Sequence, residues 1–442
     1  MQRGAEARDP DVEWHVMSTS EERRTFLKSA GIAAAAGFPS IIRAQTVTNA
    51  IKIGLVGAGG RGSGAASQAL TADDYTELTA VGEIEQPAID RSLATLKRNA
   101  KYGPRVKVEA DKQYIGLDAY QKVINSGVDC VILATPPGFR PRHLAACIDA
   151  NKHVFCEKPV ATDGPGVRSA LETTEKARAK NLSLVSGFCW RYNNKIIEAF
   201  DQVKSGAIGK LVAYYATYYT NPVKPMPAAS TRPAGMSDIE WQIRNWYNFV
   251  WLSGDSLVEQ AIHSVDKVAW AMGDEAPVSC VGVGGRSVPA EGGNIYDHFE
   301  INYVYPNGVR AFVANRQSTG CYNENADYLL GADGVCTIGR GPNPRIEGKN
   351  TWAFSGAEYN MYQREHDVLF AAIRKGQAQN DGKRMATSTM LGIMGRMAAY
   401  TGQQITWDQA LNSQDQLVPD TIDWNGKLEM RPRAEPGVTK FL

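Results

Sequence analysis

The stretch "AIKIGLVGAGGRGSGAASQAL", residues 50–70, decides how the chain reads. Ile51, Ile53, Leu55 and Val56 form an apolar run of strand length. Glycines follow, then a small-residue segment suited to a helix. Gly57, Gly59 and Gly62 stand at G-x-G-x-x-G spacing. The first glycine permits a tight turn. The second lets the backbone approach a pyrophosphate, and the third lets the helix pack against the strand. The helix start then offers unpaired N–H groups to phosphate. Gly60 and Arg61 lie within the same turn.

Working outward, "TELTAVGEIE" is a second strand carrying Glu83, at the place where a carboxylate binds the adenosine ribose hydroxyls. A carboxylate repels a 2′-phosphate, so Glu83 favours NAD, with NADP as the alternative. Alternation continues. "YQKVINSG" is helical, "VDCVILATPP" is a buried strand, "RPRHLAACIDAN" is a helix and "HVFCEKP" is a strand. "GPGVRSALETTEKARAKN" is a helix and "LSLVSGF" is a further strand. This order predicts a doubly wound parallel sheet. Ligands bind at the carboxyl ends of such strands. Thr135 and Pro136 in "ATPP", and Glu157 and Lys158 in "CEKP", fall there and are expected to line the cofactor site.

A glycine turn, "ATPP" and "HVFCEKPVATD" in this order resemble the Gfo/Idh/MocA oxidoreductases over about residues 50–410. The resemblance implies a second α+β domain on an open, mostly antiparallel sheet, a homo-oligomer formed through it, and a sugar or cyclitol hydroxyl as the reacting group. It implies that Lys158 hydrogen-bonds that hydroxyl and the nicotinamide ribose. An ammonium there can stabilise developing alkoxide charge.

The second half fits this expectation. "KLVAYYATYYT", "VSCVGVGGRS", "DHFEINYVYPNGVRAFVANRQ" and "ADYLLGADGVCTIG" read as strands broken by turn residues, with no helix alternation. The proline-rich "NPVKPMPAASTRPAGMSD" has no period and could fold over the site. "GDSLVEQAIHSVDKVAWAMG" is expected as one helix, with Glu259, His263 and Asp266 on one arc. An acid, a histidine and an aspartate on a mostly apolar helix need a ligand or each other. The resembling family carries acid-x-x-x-His-x-x-Asp there, with an aspartate more usual at the position of Glu259. A neutral imidazole suits proton transfer with a sugar hydroxyl, so His263 is the expected acid–base residue, and Asp266 and Glu259 are expected to orient the substrate or His263. Arg191, Arg244, Trp246, Tyr247 and Trp251 are expected around the substrate, because flat aromatics and planar donors match a sugar ring. The late segments "REHDVLFAAIRKG" and "RMATSTMLGIMGRMAAYTGQ" are expected as helices returning to the parallel sheet.

The chain has 442 residues, suited to two domains, with a formal net charge of +1. That balance gives nucleic acid no basic field to bind. After residue 45 no apolar run approaches the roughly 20 residues of a membrane helix. The seven cysteines are scattered and mostly apolar in context, which predicts buried thiols rather than disulfides or a metal site. Residues 1–45 stand apart. Arg23 and Arg24 followed by "TFLK", an apolar Ala/Gly/Ile stretch and Ala44 resemble a twin-arginine export signal, implying a periplasmic or secreted protein. The expected plan is signal 1–45, Rossmann domain 46–175, substrate domain 176–410 and tail 411–442. The function expected is hydride transfer between NAD(P) and a sugar, sugar acid or polyol. Redox-neutral glycoside cleavage or a non-enzymatic sensor are the alternatives.

Overall fold

The computed structural model describes residues 49–288 and 292–442; the export-signal reading lies outside them. Six strands form a parallel sheet: β1 (Ile51–Val56), β2 (Thr76–Glu83), β3 (Gln113–Ile115), β4 (Cys130–Leu133), β5 (His153–Cys156) and β6 (Leu184–Ser186). Their order is β3-β2-β1-β4-β5-β6. The order reverses between β1 and β4, which opens a crevice above their carboxyl ends. Ile53, Leu55, Val131, Ile132 and Phe155 are fully or almost fully buried, as in a sheet covered on both faces. β6 carries this domain past the boundary expected at 175.

The second sheet has nine strands: β7 (Leu211–Thr220), β8 (Ser279–Gly285), β9 (His298–Val304), β10 (Arg310–Gln317), β11 (Glu324–Gly331), β12 (Gly334–Ile338), β13 (Arg345–Gly348), β14 (Trp352–Ala353) and β15 (Ile405–Thr406). Their order is β14-β13-β12-β11-β7-β10-β9-β8-β15. All neighbours are antiparallel except β7 and β10, which pair in parallel from Ala213 with Arg310 to Thr220 with Gln317. One continuous core joins the sheets, from Leu133 and Cys156 to Ile301 and Met394.

The helix Met361–Lys375 returns to the first domain, packing on the helix Gly60–Ala72 with Leu369 and Phe370 buried. The helix Gly382–Thr401 does not cover the parallel sheet in the same way. It lies between the helix Gly164–Ala179 and strands β8 and β9. Sixteen of its 20 residues are buried, which explains why its apolar residues run all round it. All seven cysteines are free; six are buried and Cys321 is exposed. Among the described residues no helix is long and apolar enough to cross a membrane.

Candidate active site

The glycine turn sits at the carboxyl end of β1. Gly57 has φ +93°, and a Cβ there would meet the Ala134 backbone at 2.8 Å. A Cβ on Gly62 would lie 1.9 Å from the Gly57 carbonyl oxygen, so only glycine lets the helix start against the turn. At Gly59 and Gly60, by contrast, a Cβ would meet nothing within 4 Å. No side chain caps the helix there and no acid occupies its first turn. The turn is closed where it meets the protein and open where a phosphate would lie, which fits a dinucleotide.

Glu83 ends β2 beside the turn. Its carboxylate accepts from Ala58 N (3.0 Å) and Ile84 N (2.6 Å). Burial holds its pKa above the usual carboxylate range despite those bonds. Glu83, Gly57 and Gly59 line a cleft together with Thr135, Pro136, Ile243 and Trp246. A second cleft adjoins it across Ala134, Thr135, Pro136 and Trp246. Arg61, Glu157, Lys158, Glu259 and His263 line the second cleft, with Trp190, Tyr218, Gln260, Asn325 and Tyr362.

Lys158 follows β5 and reaches across the domain boundary. Its Nζ donates to the Glu259 carbonyl oxygen at 2.6 Å and to the carboxylate Oε1 at 3.2 Å. This contact reshapes the segment expected as one helix. Two short helices form instead, Ser256–Glu259 and Ile262–Ala271. An unbroken helix would give the Glu259 carbonyl to the His263 N–H. That carbonyl is taken by Lys158, and the His263 N–H turns to the Gln260 carbonyl at 3.4 Å. Ala261 N reaches back five residues to Ser256 O at 3.1 Å, a local widening of the helix.

His263 is half-buried at the cleft wall, edge-on to Phe188. Its Nδ1 is buried with no hydrogen-bond partner. Burial, followed by the charges of Lys158, Lys267 and Arg61, pushes its pKa well below the usual value, so the ring is neutral. Glu157 pairs with Arg61, Nε to Oε1 at 2.7 Å. Arg61 also donates to Gln68 at 2.7 Å, which holds its guanidinium along the second cleft.

Several expected residues lie elsewhere. Asp266 does not join His263. Its carboxylate accepts from Arg191 Nε at 3.0 and 3.1 Å and from Ser388 Oγ at 2.7 Å, sealed from both clefts. Arg191 also binds Asp274, at 2.6 and 3.0 Å, and is structural rather than substrate-facing. The helix angle does not separate them, since residues three apart point within about 60° of each other; Arg191 and Ser388 draw the Asp266 carboxylate inward. Tyr247 is buried, accepting from Gln317 Nε2 at 2.6 Å. Trp251 is buried, donating to Gln242 at 2.7 Å. Arg244 is paired with Glu85 and, at 2.9 Å, with Glu240. The proline-rich segment lies against this aromatic region, with Lys224 donating to the Arg244 carbonyl at 2.7 Å, and lines neither cleft. Of the aromatic and arginine candidates, Trp246 alone lines the clefts. Sequence reasoning missed Gln260, Tyr218 and Asn325. Gln260 Nε2 donates to Glu259 Oε2 at 2.7 Å and its Oε1 accepts from Tyr218 at 3.1 Å. The position of Gln260 beside Glu259 was the available signal; Tyr218 and Asn325 sit in strands with none.

Residues 51–188 match the model of the Gfo/Idh/MocA oxidoreductase family, NAD-binding Rossmann fold. An inositol 2-dehydrogenase of Acidothermus cellulolyticus is 27% identical over 226 residues, 51% of this chain and 54% of that protein. A glycosyl hydrolase family 109 protein of a Shewanella strain is 24% identical over 217 residues, 44% of this chain and 45% of that one. The chain thus spans about half the length of these curated relatives. The structure of a levoglucosan dehydrogenase in complex with NADH and levoglucosan superposes with a TM-score of 0.64 at 16% identity, covering 81% of this chain and 99% of that one. With its glycine turn, strand order and motif residues so placed, the stretch 51–188 is similar to the NAD-binding Rossmann domain of the Gfo/Idh/MocA oxidoreductase family.

Proposed function

We propose that the protein oxidises or reduces a CH–OH group of a sugar, sugar acid or polyol with NAD(P). The observation that carries this reading is the convergence of Lys158, Glu259 and a neutral His263 on a cleft adjoining the glycine turn. When bound, the nicotinamide supplies the hydride acceptor or donor. In the oxidising direction His263 takes the hydroxyl proton, and a base kept neutral is ready to do so. Lys158 donates to the same oxygen as charge develops on it. Glu259 holds the ammonium by carbonyl and carboxylate, and Gln260 and Tyr218 hold Glu259 in turn. Trp246 supplies a flat apolar wall for a ring face.

The test is product analysis by mass spectrometry over a panel of sugars and glycosides. A keto or hydroxyl product formed with a matching redox change in the nicotinamide, or in a second substrate that resets it, supports the proposal. Release of an aglycone with no net change in the nicotinamide overturns it in favour of redox-neutral glycoside cleavage. The family 109 glycosyl hydrolase relative favours that second reading.

The reading extends to location on the sequence alone. Arg23–Arg24 and Ala44 mark a folded-protein export route, and outside the cytoplasm a nicotinamide would have to stay bound and be reset in place. Protein purified without added nucleotide, then denatured, should release near-stoichiometric dinucleotide. An empty protein that turns over only with millimolar external NAD sinks this part.

A further inference from the structure

The Glu83 cleft has an outer wall that the parallel-sheet domain does not supply. Ile243 and Trp246 come from residues 238–253, which run as the helix Asp238–Arg244, a short turn and the helix Val250–Ser253. This segment is fastened to the first domain on both sides of the cleft. On one side Arg244 pairs with Glu85, two residues past the end of β2. On the other the Trp251 carbonyl accepts from Thr162 Oγ1 at 3.2 Å and lies 2.3 Å from where a Cβ on Gly138 would stand.

A strap then crosses the outside of the segment. Ile422, Trp424 and Leu428 are partly buried, while Thr421, Asp423, Asn425, Lys427 and Glu429 are exposed. That is strand-like alternation in a stretch with no strand partner. The inward side chains join Leu417 and Val418 in one apolar cluster with Ile239, Ile243, Trp246 and Trp251, and with Ile84, Leu117 and Phe139 of the first domain. Polar bonds fix the register. Leu417 N donates to Asp163 Oδ2 at 2.8 Å, and Arg142 donates to the Asp420 carbonyl at 2.9 Å. Gln242 donates to the Leu428 carbonyl at 2.8 Å and Asn294 to the Arg431 carbonyl at 3.1 Å. Ser237 bonds the Trp424 carbonyl. The strap therefore grips both domains and presses on the segment that walls the cleft.

We infer that residues 238–253 are a cap over the adenosine side of the dinucleotide, with Ile243 and Trp246 as its nucleotide-facing residues, and that residues 415–434 are the latch that sets how long the nucleotide stays. The inference rests on the Glu83 cleft being the dinucleotide site, not on the sugar chemistry. Linkage makes it reciprocal: if the latch stabilises the loaded state, the nucleotide stabilises the latch by the same factor.

The protein is loaded with NADH, chased with excess NAD, and release is followed by NADH fluorescence. Trp424→Ala and Leu428→Ala should each speed release at least tenfold, with helix content unchanged by circular dichroism. Ser237→Ala, which deletes one bond to the strap, should speed it to a lesser extent. Release within twofold of wild type in all three overturns the latch. Hydrogen exchange requires no variant: backbone amides of 415–430 should exchange at least fivefold more slowly at saturating NADH than in nucleotide-stripped protein. Unchanged exchange there overturns the inference even if a variant fails to fold. Neither readout involves a sugar, so the hydride-transfer reading can fail while this one stands.

Discussion

His263 and Asp266 are three residues apart on the same short helix, yet they belong to opposite kinds of region. Around Asp266, Arg191, Asp274 and Ser388 spend their hydrogen-bonding capacity on one another, and the Arg191 and Asp266 side chains are almost fully buried. Around His263 the capacity is unspent. Its Nδ1 has no partner, and Lys158 reaches its acid from a cleft wall. Lys267 and Asp327, another lysine–carboxylate pair, are sealed like the first region, with Tyr214 donating to the aspartate at 3.1 Å. What separates the two regions is not residue type but hydrogen-bonding capacity left unmet beside a cleft.

The two regions should respond to substitution in opposite ways. The largest effect belongs to the sealed network. Arg191→Met leaves the Asp266 carboxyl buried without its cation, with only Ser388 as donor among the described residues, and should cost about 3–5 kcal/mol of stability. Turnover per folded molecule should stay within about threefold; calorimetry and active-site titration check both. A large loss of turnover in folded protein would return Asp266 to the site. His263→Ala reverses the pattern. It breaks no side-chain hydrogen bond seen in the structure, so the melting midpoint should hardly move, while turnover falls about a hundredfold, near 2.7 kcal/mol of barrier. Lys158→Ala should match that loss in turnover and add a stability cost, since Glu259 loses its cation. Steady-state rates beside thermal melts separate the two.

Glu83→Ser comes next. It removes the carboxylate beside the turn and should shift NAD over NADP preference by about tenfold, roughly 1.4 kcal/mol, read as a ratio of Kd values. A wild type already tighter for NADP refutes the ribose assignment. The smallest effect is on the pH profile. Burial lowers the His263 pKa, so the neutral base persists as pH falls below its ordinary value of 6.5. The acid limb of kcat/KM for oxidation should therefore lie below 6.5. A limb at or above that value would mean that His263 is not the titrating base.

The parallel sheet was legible because β1, the glycine turn and the following helix each require particular residues in order. β3 was not: Gln113–Ile115 is a three-residue edge strand with no apolar run to announce it. The break after Glu259 was not legible either. Gln260 and Ala261 are good helix formers, and what interrupts them is an ammonium 101 residues upstream taking one carbonyl. The same ignorance of partners placed Arg191 and Trp251 in the site. An arginine or tryptophan reads alike whether its donors meet a substrate or, as here, Asp266 and Gln242. Lys158 and Glu157 were found because a short motif fixes them at a strand end, where the fold itself puts the crevice.

The parallel pairing of β7 with β10 has a consequence for synthesis. β7 ends at Thr220, and its neighbours β10 and β11 begin at Arg310 and Glu324. At about 5–20 residues per second on the ribosome, the strand "LVAYYATYYT" emerges some 5–20 s before either partner. For that interval a tyrosine-rich strand has both edges bare, the condition under which chains pair with the wrong neighbour. The centre of the second sheet thus cannot form until residues 310–331 have been made. Nascent chains stalled between residues 240 and 300 should be the ones that bind chaperones most strongly.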